Sequence, residues 1–153
     1  MLTRELIEAA FADVPYPGDD HIADHQDCLE CDGVRAFFRG KSWRDLKFPE
    51  LWPYHESLPL LTAPAFHYFL PGYILASLNA NGHELGVIPF SILSIGGDPL
   101  ETPAIQEERA WNRRVFTKPQ REVIAEYLRF LITSDVIYLD EGVEFSIEKI
   151  LHD

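Results

Sequence analysis

Residues 65–78, Ala-Phe-His-Tyr-Phe-Leu-Pro-Gly-Tyr-Ile-Leu-Ala-Ser-Leu, constrain the fold more than any other stretch. Wound as a helix, this segment is apolar nearly all the way round. It therefore has no face to offer water and calls for enclosure by the rest of the chain. It predicts a central buried helix with Thr62 as N-cap and Pro64 tolerated in the first turn. Pro71 removes a helical donor in mid-segment, which predicts a kink or a break there. Asn81-Gly82 is expected to close the helix.

The remaining segments read mostly as shorter helices arranged around this one. Leu2, Leu6, Ile7, Ala10 and Phe11 recur at three- and four-residue spacing and form one stripe of a first helix beginning near Thr3. Pro15, Pro17 and Gly18 end it. A second helix is expected over residues 24–39, burying Val34, Phe37 and Phe38 and stopping at Gly40. Ser42 can cap a short helix through Trp43, Arg44, Asp45 and Leu46. Pro49, Pro53, Pro59 and Pro64, with aromatics between them, predict short turns laid against the core. Residues 87–95 are an apolar run that fits either a strand or a helix. Residues 107–114 are helical in character. Thr117, Lys118 and Pro119 open the clearest helix, with Val123, Ile124, Tyr127, Leu128 and Leu131 as its stripe. Residues 136–139 suit a strand and 146–151 a helix. Trp43, Trp52 and Trp111 are expected in the core, with an interface anchor the alternative for Trp111.

A chain of 153 residues favours one domain, and one of that size buries roughly 68 to 70% of its unfolded surface. We find no internal repeat, low-complexity tract or linker. The expectation is a single compact, mainly α domain over residues 1–153, with about six helices and room for one short strand pair.

Charge is the second constraint. Residues 5–34 contain nine of the 25 acids and none of the 13 lysines and arginines, and so supply most of a net charge of −12. Such a chain is a poor ligand for nucleic acid, which is bound chiefly by Lys and Arg displacing counterions from phosphate. An anionic membrane surface is disfavoured for the same reason. The complementary partner is a basic protein, which a negative field steers into contact. No apolar run reaches the roughly 20 residues needed to span a bilayer. The acid-bearing amphipathic start is not a signal peptide, so a cytoplasmic location is expected. There the two cysteines would stay reduced.

The same segment carries His21, His25, Cys28 and Cys31, a His-x3-His-x2-Cys-x2-Cys spacing that offers the ligand types of a tetrahedral zinc site. On a continuous helix, however, His21 and Cys31 would lie about 15 Å apart along the axis. A single site therefore requires the chain to turn between His25 and Cys28, or one ligand to come from elsewhere, such as His55 or His67. The plainer alternative is two partly buried helical cysteines and two solvated histidines. Redox chemistry at Cys28-x2-Cys31 would need positive charge or a helix N-terminus beside the thiols. The neighbours Asp27, Glu30 and Asp32 argue against it. Asp19-Asp20 with His21 and His25 could serve a hydrolytic metal, but adjacent carboxylates after Pro17-Gly18 more simply form an exposed turn. Phosphate-cradling loops, nucleophile elbows and His-Glu-x-x-His helices are absent. His67, between Phe66 and Tyr68, is expected to pack. No catalytic residue and no cofactor are expected.

Ile7-Glu8-Ala9-Ala10-Phe11 with Val14-Pro15-Tyr16-Pro17, Cys28-Leu29-Glu30-Cys31, Phe37-Phe38-Arg39-Gly40-Lys41 with Trp43, residues 61–73 and residues 120–131 together resemble a small bacterial family of unknown function. The likeness spans most of the chain and implies no activity or catalytic residue. In type, not in motif, a small acidic cytoplasmic protein is similar to the immunity proteins that neutralise secreted toxins. The functional expectation is a non-catalytic, antitoxin-like binding protein that covers a basic toxin, such as a nuclease. Asp19, Asp20, Asp24, Asp27, Glu30 and Asp32 would be its partner-binding residues. The alternative is a structural or hydrolytic zinc protein using His21, His25, Cys28 and Cys31.

Overall fold

The computed structural model describes residues 1–80 and 84–153. Among them are eight α-helices: α1 (Arg4–Phe11), α2 (Leu29–Phe38), α3 (Phe48–Leu51), α4 (Ala63–Leu78), α5 (Ile88–Leu93), α6 (Pro103–Arg113), α7 (Lys118–Thr133) and α8 (Glu141–His152). Three 3-10 turns accompany them, at Trp43–Asp45, Trp52–Tyr54 and Leu58–Leu60. The chain is all-helical, with more helices than expected and no strand pair among the described residues. The apolar run at residues 87–95 resolves as α5, and the proline-rich segment winds into α3 and the later two 3-10 turns. The chain divides into two compact units, Met1–Ala10 with Pro89–Asp153, and Phe11–Ile88.

In the unit Phe11–Ile88, α4 is the buried helix that its composition demands. Thr62 Oγ1 accepts the Ala65 N–H at 3.2 Å, as an N-cap should. The helix runs through Pro71 as one element, and positions 68 to 77 are all buried. Of the kink or break expected at Pro71, the break is absent, and Pro71 itself is buried among the packed positions of the helix. The turn Trp43–Asp45 crosses α4 at Gly72, where a Cβ would come within 2.6 Å of Leu46 Cδ1 and 2.8 Å of the Trp43 carbonyl oxygen. Tyr73 donates its hydroxyl hydrogen to the Tyr54 carbonyl at 2.8 Å, and burial pushes its phenol well above the ordinary range. The helix ends at Leu78, with the Asn79 N–H returning to the Leu75 and Ala76 carbonyls. The Asn81-Gly82 stop lies outside the described residues. Trp43 is fully buried, but Trp52 is 39% exposed and stacks on His55 at 4.4 Å.

The other unit rests on α6, α7 and α8. Thr117 and Gln120 form a complete capping box at the start of α7, and Gln120 Nε2 also donates to the Ala10 carbonyl at the end of α1, at 3.1 Å. Arg113 is buried at the end of α6. It donates to the Ile95 and Gly96 carbonyls at 3.0 and 3.2 Å and pairs with Asp153. Because Arg113 takes the inward position, Trp111, two residues back, falls on the opposite side of the helix. It is 66% exposed and not in the core, with the Arg114 guanidinium over its ring. On α1, Ile7 and Phe11 are buried and Leu6 is exposed.

The strand expected at residues 136–139 is instead the C-terminal cap of α7. Asp135 adopts a left-handed φ of 57°, which turns the Val136 and Ile137 N–H groups back to the Leu131 carbonyl at 2.9 and 3.3 Å. Ile137 is buried, whereas Tyr138 and Leu139 are exposed. Asp140 then caps α8 through the Val143 N–H at 2.9 Å. Among the described residues no helix is long and apolar enough to cross a membrane.

Candidate functional site

The segment between α1 and the end of α2 lies wholly in the unit Phe11–Ile88 and is held by three side chains. Tyr16 donates its hydroxyl hydrogen to Asp19 Oδ1 at 2.5 Å and accepts the Gly40 N–H at 2.8 Å, tying the start of the loop to the end of α2. Burial first, and then the hydrogen bond to Asp19, push the Tyr16 phenol above its ordinary value. Thr62 donates from Oγ1 to the His21 carbonyl at 2.6 Å and from its N–H to the Ile22 carbonyl at 2.9 Å. Ile22 and Ala23 are buried at this point. Arg35 reaches back from α2 to the Ala23 carbonyl at 2.7 Å and the His25 carbonyl at 3.1 Å, and its other nitrogen donates to Asp32 Oδ1 at 2.6 Å.

These contacts correct the second helix. The expectation was a helix over residues 24–39, but α2 begins only at Leu29. The Ala23 and His25 carbonyls are taken by Arg35, and Asp27 sits at a φ of 56°, a left-handed conformation that turns the chain just before the helix. Asp and Asn tolerate this conformation better than most residues. The bend between His25 and Cys28, which a compact His/Cys cluster requires, is therefore present.

It places Cys28 at the N-cap of α2 and Cys31 in the first turn. Cys28 Sγ accepts the Cys31 N–H at 3.1 Å, and the two sulfurs are joined as a disulfide with Cα atoms 5.2 Å apart. That spacing is well inside the range a disulfide spans. The expectation of two free thiols is thus corrected, because the N-cap turn brings the two side chains together. His25 Nδ1 lies 3.8 Å from Cys31 Sγ. His21 contributes its backbone to the Thr62 clasp, not its ring to the cysteine pair. His55 stacks on Trp52 and accepts the Val87 N–H at 3.3 Å, and His67 packs edge-on against Phe11. Among the described residues, no group of three or more His, Cys, Asp and Glu is placed to hold a metal ion.

The acids are arranged differently from the sulfurs. Asp19, Asp20, Asp24, Asp27, Glu30 and Asp32 are all exposed. Asp19 is engaged by Tyr16 and Asp32 by Arg35. Of the nine acids in residues 5–34, Glu5 and Glu8 fall in the other unit, where Glu8 pairs with Arg4. Leu29, between the cysteines, is 91% exposed. Sequence reasoning missed Arg35 because its role depends on two loop carbonyls, which side-chain patterns do not reveal.

No curated protein and no solved structure matches the chain. One protein-family model does, over residues 3–138, which include the loop, the cysteine pair and the buried helix. The chain belongs to that family, a family of unknown function (DUF6714).

Proposed function

We propose that the protein works by binding, not by catalysis, and offers the acids of residues 19–32 to a basic protein partner, as an antitoxin or immunity protein does for its toxin. One observation supports this most. Asp19, Asp20, Asp24, Asp27, Glu30 and Asp32 are all exposed on a segment whose backbone is pinned by Tyr16, Thr62 and Arg35. A pinned acidic surface meets a cationic partner without first having to be ordered, which lowers the cost of association. A nuclease toxin suits such a surface, because the groove that holds nucleic acid must itself be positive.

Affinity capture from the native cell tests this, using the wild-type chain beside a variant carrying D20N, D24N, D27N and E30Q. The wild type should retain a basic protein that the variant releases, and the purified partner should lose its activity on nucleic acid when the wild type is added. Equal retention by both chains would sink the proposal.

The zinc alternative applies to the reduced chain, and the His25 ring beside Cys31 is the observation that favours it. Elemental analysis of protein purified under reducing conditions without added metal tests it. Less than about a tenth of an equivalent of zinc counts against a structural site.

A further inference from the structure

Cys28 and Cys31 are alike in sequence and unlike in the fold. Cys31 is fully buried, whereas Cys28 is half-buried at the N-cap of a ten-residue helix, where the loop turns at Asp27. Of the two, only Cys28 has surface in contact with solvent, so it is the side from which a thiol can approach the pair. Leu29 stands exposed beside it, an apolar contact point with no partner of its own in the core. Asp24, Asp27, Glu30 and Asp32 surround the pair in sequence, within residues 24–32, and all are exposed. Arg35 offsets only Asp32.

We propose that the Cys28–Cys31 pair is a thiol–disulfide exchange site whose partner is a thiol carried in a cationic setting. The attacking thiolate bonds to Cys28 Sγ, and the bond between the two sulfurs breaks. Cys31 leaves with the bonding electron pair and takes a proton from water. In the second step another thiolate of the partner attacks the partner's own sulfur in the mixed disulfide, and Cys28 leaves as the second thiol. Two electrons and two protons have then passed from a dithiol to this chain, and the partner holds the disulfide. The helix N-terminus favours negative charge at the Cys28 sulfur when it is the departing group. The acids select the partner, since they repel an anionic thiol and attract a cationic one. This proposal stands apart from the binding function above. Exchange could fail while the acidic surface still binds, and the reverse.

The test uses the intact oxidised chain and three thiols: cysteamine as the cation, 2-mercaptoethanol as the neutral thiol and 3-mercaptopropionate as the anion. Rates of opening are followed by alkylation and mass spectrometry, each normalised to the same thiol's rate on hydroxyethyl disulfide. The expected order is cation, neutral, anion, with about a tenfold span at low salt that collapses near 1 M salt. In the reduced chain, limiting iodoacetamide should label Cys28 about tenfold faster than Cys31, since the buried thiol is shielded. Cys31→Ala incubated with cystamine should form the mixed disulfide at Cys28, and Cys28→Ala should resist. The alkylation of the reduced wild type gives the same information should either variant not fold. Equal labelling of both cysteines, no charge order among the thiols, or a bond that opens only in denaturant would each overturn the proposal.

Discussion

Replacing Arg35 with glutamine should unfasten the acidic loop while leaving α2 in place. The Arg35 side chain is 23% exposed, and the Asp32 it pairs with is 63% exposed. The ion pair is therefore largely solvated and contributes about 0 to 1 kcal/mol. The two bonds to the Ala23 and His25 carbonyls are the larger part. Charge-assisted hydrogen bonds contribute roughly 1.5 to 3 kcal/mol, and a buried carbonyl left without a donor costs roughly 1 to 3 kcal/mol. Of the two residues, Ala23 is buried and His25 is exposed, so only the Ala23 bond carries the full penalty. Arg35→Gln should lower stability by about 2 kcal/mol, and Asp32→Asn by less than about 0.5 kcal/mol. Urea unfolding of both variants measures this, and hydrogen exchange shows where it acts. Amides of residues 23–28 should exchange faster in Arg35→Gln and hardly change in Asp32→Asn. If the two variants are destabilised equally, or if Arg35→Gln is neutral, Arg35 is not the clasp of this loop.

Two further predictions concern the scaffold. Gly72→Ala should cost about 1 to 3 kcal/mol, because the added methyl meets the Trp43 backbone, which cannot swing aside as a side-chain tip can. Thermal unfolding measures it, and a neutral effect would contradict the close approach of the Trp43–Asp45 turn. In the unit Met1–Ala10 with Pro89–Asp153, hydrogen bonds from Arg109 to Glu101 and from Arg113 to Asp153 hold both carboxyls below their ordinary values of 4.5 and 3.8. Folded values lower than unfolded ones mean that this stabilisation is present above those values and is lost as pH falls through the folded ones. Stability should therefore begin to decline below about pH 4.5, and the gap between wild type and Glu101→Gln should narrow there. A gap that stays constant down to about pH 3 would show that the Arg109 pair is not the cause.

Much of the fold is legible in the residues themselves. Thr62 and Thr117 act as caps because each places a hydroxyl oxygen just before a proline-led first turn, where it accepts a free helical N–H. The buried helix follows from its lack of a polar face. What could not be read depends on partners distant in sequence. Pro71 looks like a break, yet tertiary packing carries α4 through it. Residues 136–139 have strand-like composition, but among the described residues no strand pairs with them, and the left-handed Asp135 turns their backbone into a helix cap. Trp111 is apolar and sits in a helix, yet Arg113 takes the buried position because three carbonyl and carboxylate groups await its guanidinium.

The site divides in the same way. The acids are visible in the sequence because charge needs no particular geometry, and Asp19, Asp20, Asp24, Asp27, Glu30 and Asp32 are all exposed. The setting of the cysteine pair is not legible, because it depends on where α2 starts. Asp27 in a left-handed conformation and the clasp of Arg35 decide that, and neither carries a sequence signature.

The association rate with the captured basic partner, measured against ionic strength for the wild type and the D20N/D24N/D27N/E30Q variant, tests the binding function most directly. Electrostatic steering by residues 19–32 predicts a fast wild-type rate that falls steeply with added salt and a slower variant rate that barely depends on it. Parallel salt dependence in the two proteins would contradict it, and would place the binding surface elsewhere on the fold.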